Sequence, residues 1–247
     1  MNEEKLRELA VSLDTPSYVF DTDILTERAR WIADTIRPAK LCFAMKANPF
    51  LVKVLDGYVE RYEVCSPGEF HICVQNGLDM EKIVLSGVNK EYEDVLCAME
   101  QGVVHYTAES RGQFYLVSRC AEELDRHVEI LLRVTSGNQF GMSEEDVRQL
   151  IGERDKYPYV NICGLQYFTG TQKKVIKKIA AEVEYIEELI RRLEEEEGFV
   201  TRELEFGPGL GVPYFTKDDF AEDRSLLEAF MELFREKRPY EVTFEMG

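Results

Sequence analysis

Lys46 stands at the end of a short apolar run, Leu41-Cys42-Phe43-Ala44-Met45, and Ala47-Asn48-Pro49 follows at once. A run of this length broken by Asn-Pro reads as a buried strand that stops at a turn. A lysine at such an exit is costly to desolvate unless it is paired or chemically used. Lys46 is therefore a candidate for a depressed pKa and for Schiff-base chemistry. A lysine that snorkels to the rim is the bland alternative. Two distant segments offer matching chemistry. Gly207-Pro208-Gly209-Leu210-Gly211 is a turn whose backbone N–H groups can approach an anion closely. Glu245 supplies a carboxylate near the end of the chain, with a structural salt bridge, such as one to Arg133, as its plain reading.

These residues matter only if the fold brings them together. Short apolar runs predict strands at Leu41–Met45, Tyr62–Cys65, Lys82–Ser86, Val103–Ala108, Val128–Val134, Asn161–Phe168, Glu203–Phe206 and Glu241–Glu245. Between them lie stretches of helical spacing. The clearest runs from Gln172 to Glu197, with Ile176, Ile179, Val183, Ile186, Ile190 and Leu193 on one face. Helices are also expected over 23–36, 49–58, 67–76, 90–100, 110–124, 143–153 and 217–236. Strands alternating with helices predict βαβ units, and eight of them predict a closed (β/α)8 barrel, with a doubly wound open sheet as the competitor. Residues 1–22 are expected to form an N-terminal helix and a leading strand at Val19–Phe20, and 23–247 the barrel. A barrel needs a helix after its eighth strand, so an ending at Gly247 predicts that the last helix lies on a longer polypeptide.

In such a barrel the site lies at the carboxyl ends of the strands. That rim collects Lys46, Glu63, Ser66 and Glu69, Arg133, Phe168-Thr169-Gly170-Thr171, the glycine turn after strand seven, and Glu245 with Gly247. An amine nucleophile, an anion cradle after strand seven and a carboxylate between them fit pyridoxal 5′-phosphate (PLP). The lysine would carry the aldehyde carbon, the turn would hold the phosphate, and the carboxylate would keep the pyridine nitrogen protonated.

Composition narrows the partners. The chain has 247 residues, is 45% apolar and carries a formal net charge of −17. That is enough for one sizeable core, and an acidic surface argues against nucleic acid as a partner. The six cysteines form no CxxC pair, and the three histidines lie at no ligand spacing from them, so no metal site is expected. Cysteines inside apolar runs suit a reducing, cytoplasmic setting. No apolar run reaches membrane-spanning length, and the first residues show no leader pattern.

Five segments resemble the motifs of the fold-type III PLP enzymes, and more narrowly the diaminopimelate/ornithine/arginine decarboxylase group. They are Phe43-Ala44-Met45-Lys46-Ala47-Asn48-Pro49, Glu63-Val64-Cys65-Ser66-Pro67-Gly68-Glu69, Gly164 to Gln172, Phe206 to Tyr214, and Phe244-Glu245-Met246-Gly247. The resemblance covers the chain from about residue 15 to its end. It implies that Lys46 forms the Schiff base, that Glu245 partners the pyridine nitrogen and that Thr171, Gly209 and Gly247 bind phosphate. Arg133 would lie beside the ring, and Glu63, Phe168, Gly207 and Met246 would complete the cofactor-binding set. It further implies an amino acid as the small-molecule substrate, a C-terminal β-domain beyond Gly247, and a homodimer in the full-length protein.

The departures from that pattern are specific. Phe168 stands where the family usually places a histidine against the cofactor face, Gln139 where a lysine is common, and Pro208 and Met246 where glycine and proline are usual. An aromatic ring still stacks on a pyridine but donates no hydrogen bond to it. The function these features predict is decarboxylation of a diaminopimelate-, ornithine-, lysine- or arginine-type amino acid. A racemase of related fold and a non-catalytic PLP-binding protein are the alternatives. Racemases of this fold are known to place arginine at the pyridine nitrogen, so Glu245 favours decarboxylation.

Overall fold

The computed structural model describes residues 3–14, 16–214 and 220–247, apart from the side chains of 220–223. Its eight strands are β1 (Lys40–Ala44), β2 (Arg61–Val64), β3 (Ile83–Leu85), β4 (His105–Ala108), β5 (Val128–Val134), β6 (Val160–Phe168), β7 (Glu203–Gly207) and β8 (Glu241–Met246). They pair in parallel in chain order, and Lys40–Phe43 of β1 pairs with Thr243–Met246 of β8. That last pairing closes the barrel and excludes the open sheet.

The helices are α1 (Glu3–Ser12), α2 (Thr22–Ile36), α3 (Val52–Leu55), α4 (Pro67–Gln75), α5 (Tyr92–Glu100), α6 (Arg111–Glu123), α7 (Glu144–Gly152), α8 (Ile176–Glu197) and α9 (Phe220–Glu232). Local chemistry starts and stops them. Asp21, Ser66, Ser110 and Ser143 cap the N-termini of α2, α4, α6 and α7 through side-chain oxygens that accept backbone N–H groups. α8 stops at Gly198, which takes the left-handed conformation with φ 60°.

Three expectations are corrected. Val19 and Phe20 form no leading strand; both are exposed and make no strand pairing. The helix expected over 49–58 is a 3₁₀ turn at Pro49–Leu51 followed by the single-turn α3, because Asn48 caps and Pro49 opens a tight turn there. The stripe expected from Gln172 becomes helical only at Ile176, since residues 169–173 form a loop of the barrel rim. Of the helix expected over 217–236, residues 217–219 lie outside the described residues.

The barrel has two different cores. Outward strand residues such as Tyr62, Val64, Ile83, Leu85, Leu204 and Phe206 join the helices in one apolar cluster. The barrel interior is polar: Arg61, Glu63, Thr107, Gln166, Glu203, Glu205, Thr243 and Glu245 are all buried. The two-residue alternation of strands sorts the chain into these environments, with Arg61 and Glu63 pointing in and Tyr62 and Val64 pointing out. Low in the barrel Arg61 forms an ion pair with Glu203, and Thr243 Oγ1 donates to Glu203 Oε1 at 2.8 Å.

Glu205 sits in this interior with neither carboxylate oxygen hydrogen-bonded among the described residues. Burial, and then the charges of Glu245, Glu63 and Glu203, hold its carboxyl well above the ordinary carboxylate range. The folded protein therefore keeps a proton that the unfolded chain releases above about pH 4.3, and stability falls as pH rises from that point until the folded carboxyl itself ionises, by at most about 1.4 kcal/mol per unit. Glu205→Gln, which mimics the neutral acid, is expected to flatten this slope by about one proton's worth. Urea-unfolding midpoints at pH 5 and pH 8 check it. An unchanged difference between the two pH values would show Glu205 to be ionised in the fold.

Candidate active site

The carboxyl end of the barrel opens into a cleft of about 300 Å³ lined by Lys46, Phe168, Thr171, Gly209, Glu245 and Gly247, among others. Lys46 lies in a 3₁₀ turn, Met45–Ala47, immediately after β1. Its Nζ donates to Glu63 Oε2 at 2.6 Å and to Glu245 Oε1 at 3.1 Å. β2 and β8 flank β1, so the two carboxylates, 182 residues apart in sequence (245 − 63), reach the amine from both sides.

This pairing overturns the expected depression of the lysine pKa. Burial does pull it down, but the charges of Glu245 and Glu63 outweigh burial and hold the ammonium well above its ordinary range. The two carboxyls diverge in turn. Burial opposes ionisation of Glu63, yet the Lys46 charge and hydrogen bond bring it below the usual carboxylate range. Burial and the neighbouring Glu63 charge push Glu245 up to about 7, against the pull of Lys46. Glu63 is thus the standing counter-ion, and Glu245 is the carboxyl poised to hold a proton near neutrality.

Glu245 is also fixed from its other side, where Gln166 Nε2 donates to its Oε2 at 3.1 Å. Arg133 does not reach it. The guanidinium pairs instead with Glu109 at 2.9 Å and lies over two rings, 5.2 Å from the Phe140 centroid and 6.0 Å from that of Phe168. The ladder explains the difference: β5 pairs with β4 and β6 and lies across the barrel from β8.

The glycine turn after β7 forms the facing wall. Gly209 has φ 59°, and a Cβ there would overlap the backbone of Gly170 in the neighbouring loop. Gly207 is not on the cleft wall; a Cβ on it would run into the Phe168 ring. Met246 and Gly247 line the cleft beside Glu245, whereas Glu63 and Arg133 are not among its lining residues.

Sequence reasoning missed Gln166, Glu109 and Lys90. The first two were legible as inward positions, because Gln166 lies two residues before Phe168 on β6 and Glu109 two residues after Thr107 at the end of β4. Lys90 carried no such signal. Its Nζ donates to Gly87 O at 2.7 Å and Gln113 Oε1 at 3.2 Å, and burial pulls its ammonium down to about 8, against the charge of Glu109.

A barrel whose rim presents a carboxylate-bound lysine opposite a glycine turn can hold a small molecule with an aldehyde at one end and an anion at the other. The residues fit PLP on that ground. Among the described residues, the N–H groups of Gly209 and Leu210 make no hydrogen bond to a protein acceptor and can take a phosphate. A buried carboxyl also faces the same cleft.

Comparison with known proteins agrees. The family model described as pyridoxal-dependent decarboxylase, pyridoxal binding domain, matches residues 22–247. The chain belongs to the pyridoxal-dependent decarboxylase family and comprises its pyridoxal-binding barrel. It is 30% identical over 253 residues to a diaminopimelate decarboxylase of Zymomonas mobilis, covering 93% of this chain and 59% of that one. It is 24% identical to an L-glutamyl-[BtrI acyl-carrier protein] decarboxylase of Niallia circulans, over 99% of this chain and 62% of that one. A crystal structure of AQ1208 from Aquifex aeolicus superposes with a TM-score of 0.84 at 26% identity, covering 98% of this chain and 60% of that one. The lysine decarboxylase of Selenomonas ruminantium shares the fold, with a TM-score of 0.85 at 19% identity over 99% of this chain and 66% of that one. The chain therefore spans about 60% of the length of the curated relatives it matches. No helix among the described residues is long and apolar enough to cross a membrane.

Proposed function

We propose that this chain is the cofactor-binding part of a PLP-dependent amino-acid decarboxylase, with Lys46 Nζ as the covalent attachment point of the cofactor. The substrate class is a diaminopimelate-, ornithine-, lysine- or arginine-type amino acid. The observation that carries the reading is the placing of Lys46 between Glu63 and Glu245, at 2.6 and 3.1 Å, in a cleft whose other wall is the glycine turn. Bound there, PLP supplies an electron sink for the bond broken at the substrate Cα.

The chain's own residues have distinct tasks in this proposal. The lysine amine must lose its proton before it can act as a nucleophile, and Glu245, at hydrogen-bond distance and pushed up to about 7, is the group able to take it. Glu63 stays ionised and keeps the amine oriented. Gly209 and Leu210 N–H groups, with the Thr171 hydroxyl and Gly247, bind the anion. The Phe168 ring covers the cleft wall between them and excludes water from one face. With Phe168 in place of a hydrogen-bonding side chain, Glu245 is the carboxyl on the cleft wall placed to exchange a proton near neutral pH, with Lys46 as its hydrogen-bonded neighbour.

The carboxyl at Glu245 favours decarboxylation over racemisation, since an acid there supports a protonated ring and the stronger electron sink. A panel of ornithine, lysine, arginine and meso-diaminopimelate, assayed for CO2 and for inversion at Cα, tests the proposal. CO2 release from one of them is expected. Inversion without CO2 supports the racemase, and neither reaction with PLP bound supports a carrier. A homodimer and a cytoplasmic location belong to the same proposal, and sedimentation of the full-length protein checks the first.

A further inference from the structure

The geometry points to Gln172 as a positioning residue of the anion cradle, a role that rests on the pyridoxal reading above. Two loops build the cradle wall, 169–173 after β6 and 208–212 after β7, and three hydrogen bonds fasten one to the other. Lys173 N donates to Gly209 O at 2.9 Å, and Gly211 N donates to Lys173 O at 2.8 Å, which makes a parallel bridge across Leu210. The third bond is from a side chain: Gln172 Oε1 accepts from Val212 N at 3.2 Å.

The backbone at Gln172 is what lets that side chain reach. Its φ is 56°, and among the described residues Asp125 is the only other non-glycine at positive φ. A long polar side chain in this conformation is disfavoured and persists where its surroundings hold it. Lys173 supplies part of that hold, because its Nζ bonds Thr169 Oγ1 and pairs with Glu182 Oε2 of α8 at 2.6 Å. Gln172 closes the other side by tying Val212.

The consequence falls on the donors. The three bonds engage the N–H groups of Lys173, Gly211 and Val212. The N–H groups of Gly209 and Leu210, between the fastened points, are left without a protein acceptor among the described residues. Gln172 and Val212 both line the cleft with Gly209 and Leu210. The side chain of Gln172 thus acts on the phosphate through the turn it holds still. Preorganised donors bind an anion without reorganising first, which is where the affinity is gained.

The test compares Gln172→Ala and Gln172→Gly with the unchanged chain. Both variants lose the side chain, and glycine also removes the conformational cost at φ 56°, so it guards against a misfolded alanine variant. The probes are PLP and pyridoxal, which share the aldehyde and differ in the phosphate, each titrated by visible absorbance. PLP is expected to bind about tenfold more weakly in both variants, as the loss of one hydrogen bond implies, with pyridoxal affected less than twofold. Amide exchange at Leu210–Val212, measured without cofactor, is expected to accelerate in both. Equal weakening of PLP and pyridoxal, recovery of affinity in the glycine variant, or unchanged exchange would each overturn the assignment. Failure of the unchanged chain to take up PLP would instead overturn the pyridoxal reading, and this assignment with it.

Discussion

Lys46→Ala is expected to abolish covalent capture of PLP. The visible absorbance of the loaded protein should disappear, no adduct should survive borohydride reduction, and decarboxylation by the full-length protein should fall by at least about 10³-fold, as for removal of other covalent catalytic groups. The geometry makes this a demanding test. Among the described residues Lys46 is the lysine that lines the cleft, and its two contacts, Glu63 and Glu245, are almost fully buried. Its removal leaves these carboxyls facing one another without their cation, so one of them must take up a proton and the variant should lose stability as pH rises. A visible band that persists in Lys46→Ala would move the attachment to another amine. Lys90, with its ammonium pulled down to about 8 by burial, is the one to test next.

Glu245→Gln should separate attachment from turnover. Glutamine has the same shape and can still accept from Lys46 Nζ through its amide oxygen, while its amide nitrogen can donate to Gln166 Oε1 once the Gln166 amide turns over, so PLP uptake should persist with its visible band. What is lost is the negative charge that favours a protonated pyridine nitrogen. Decarboxylation is expected to fall about 10²–10³-fold, the range seen when one preorganised electrostatic partner is removed. CO2 release under saturating amino acid, compared with cofactor content measured on the same sample, reads the two effects apart. Undiminished decarboxylation at full cofactor content would remove Glu245 from the role proposed for it. Loss of PLP in proportion to loss of activity would make it a binding residue only.

The two variants probe a site that was only partly legible in the sequence. Lys46 declared itself through a break in pattern, an apolar run ending in a lysine before Asn-Pro. The glycine turn declared itself through composition, and Gly209 at φ 59° against the Gly170 backbone shows the steric need behind it. The strand and helix order predicted a closed barrel because short apolar runs alternate with stretches of helical period along the chain. Val19 and Phe20 misled for the opposite reason. Two adjacent apolar residues satisfy a strand pattern locally, but a strand exists only where a neighbour accepts its hydrogen bonds. Among the described residues none does so here.

The sequence by itself determined the type of fold, the lysine at the exit of the first strand and the glycine turn after the seventh. Each is set by local preference, by hydrophobic period or by the backbone freedom of glycine. The tertiary structure alone decided how those groups are charged and paired. Closure of the barrel brings Glu63 and Glu245 onto Lys46 from β2 and β8, and this turns the expected depression of its pKa into an elevation. The same closure leaves Arg133 with Glu109 across the barrel, and it buries Glu205 where no hydrogen bond among the described residues supports its charge. Charge interactions depend on distances between residues far apart in the chain and on the water excluded between them, and neither quantity is written in any single segment.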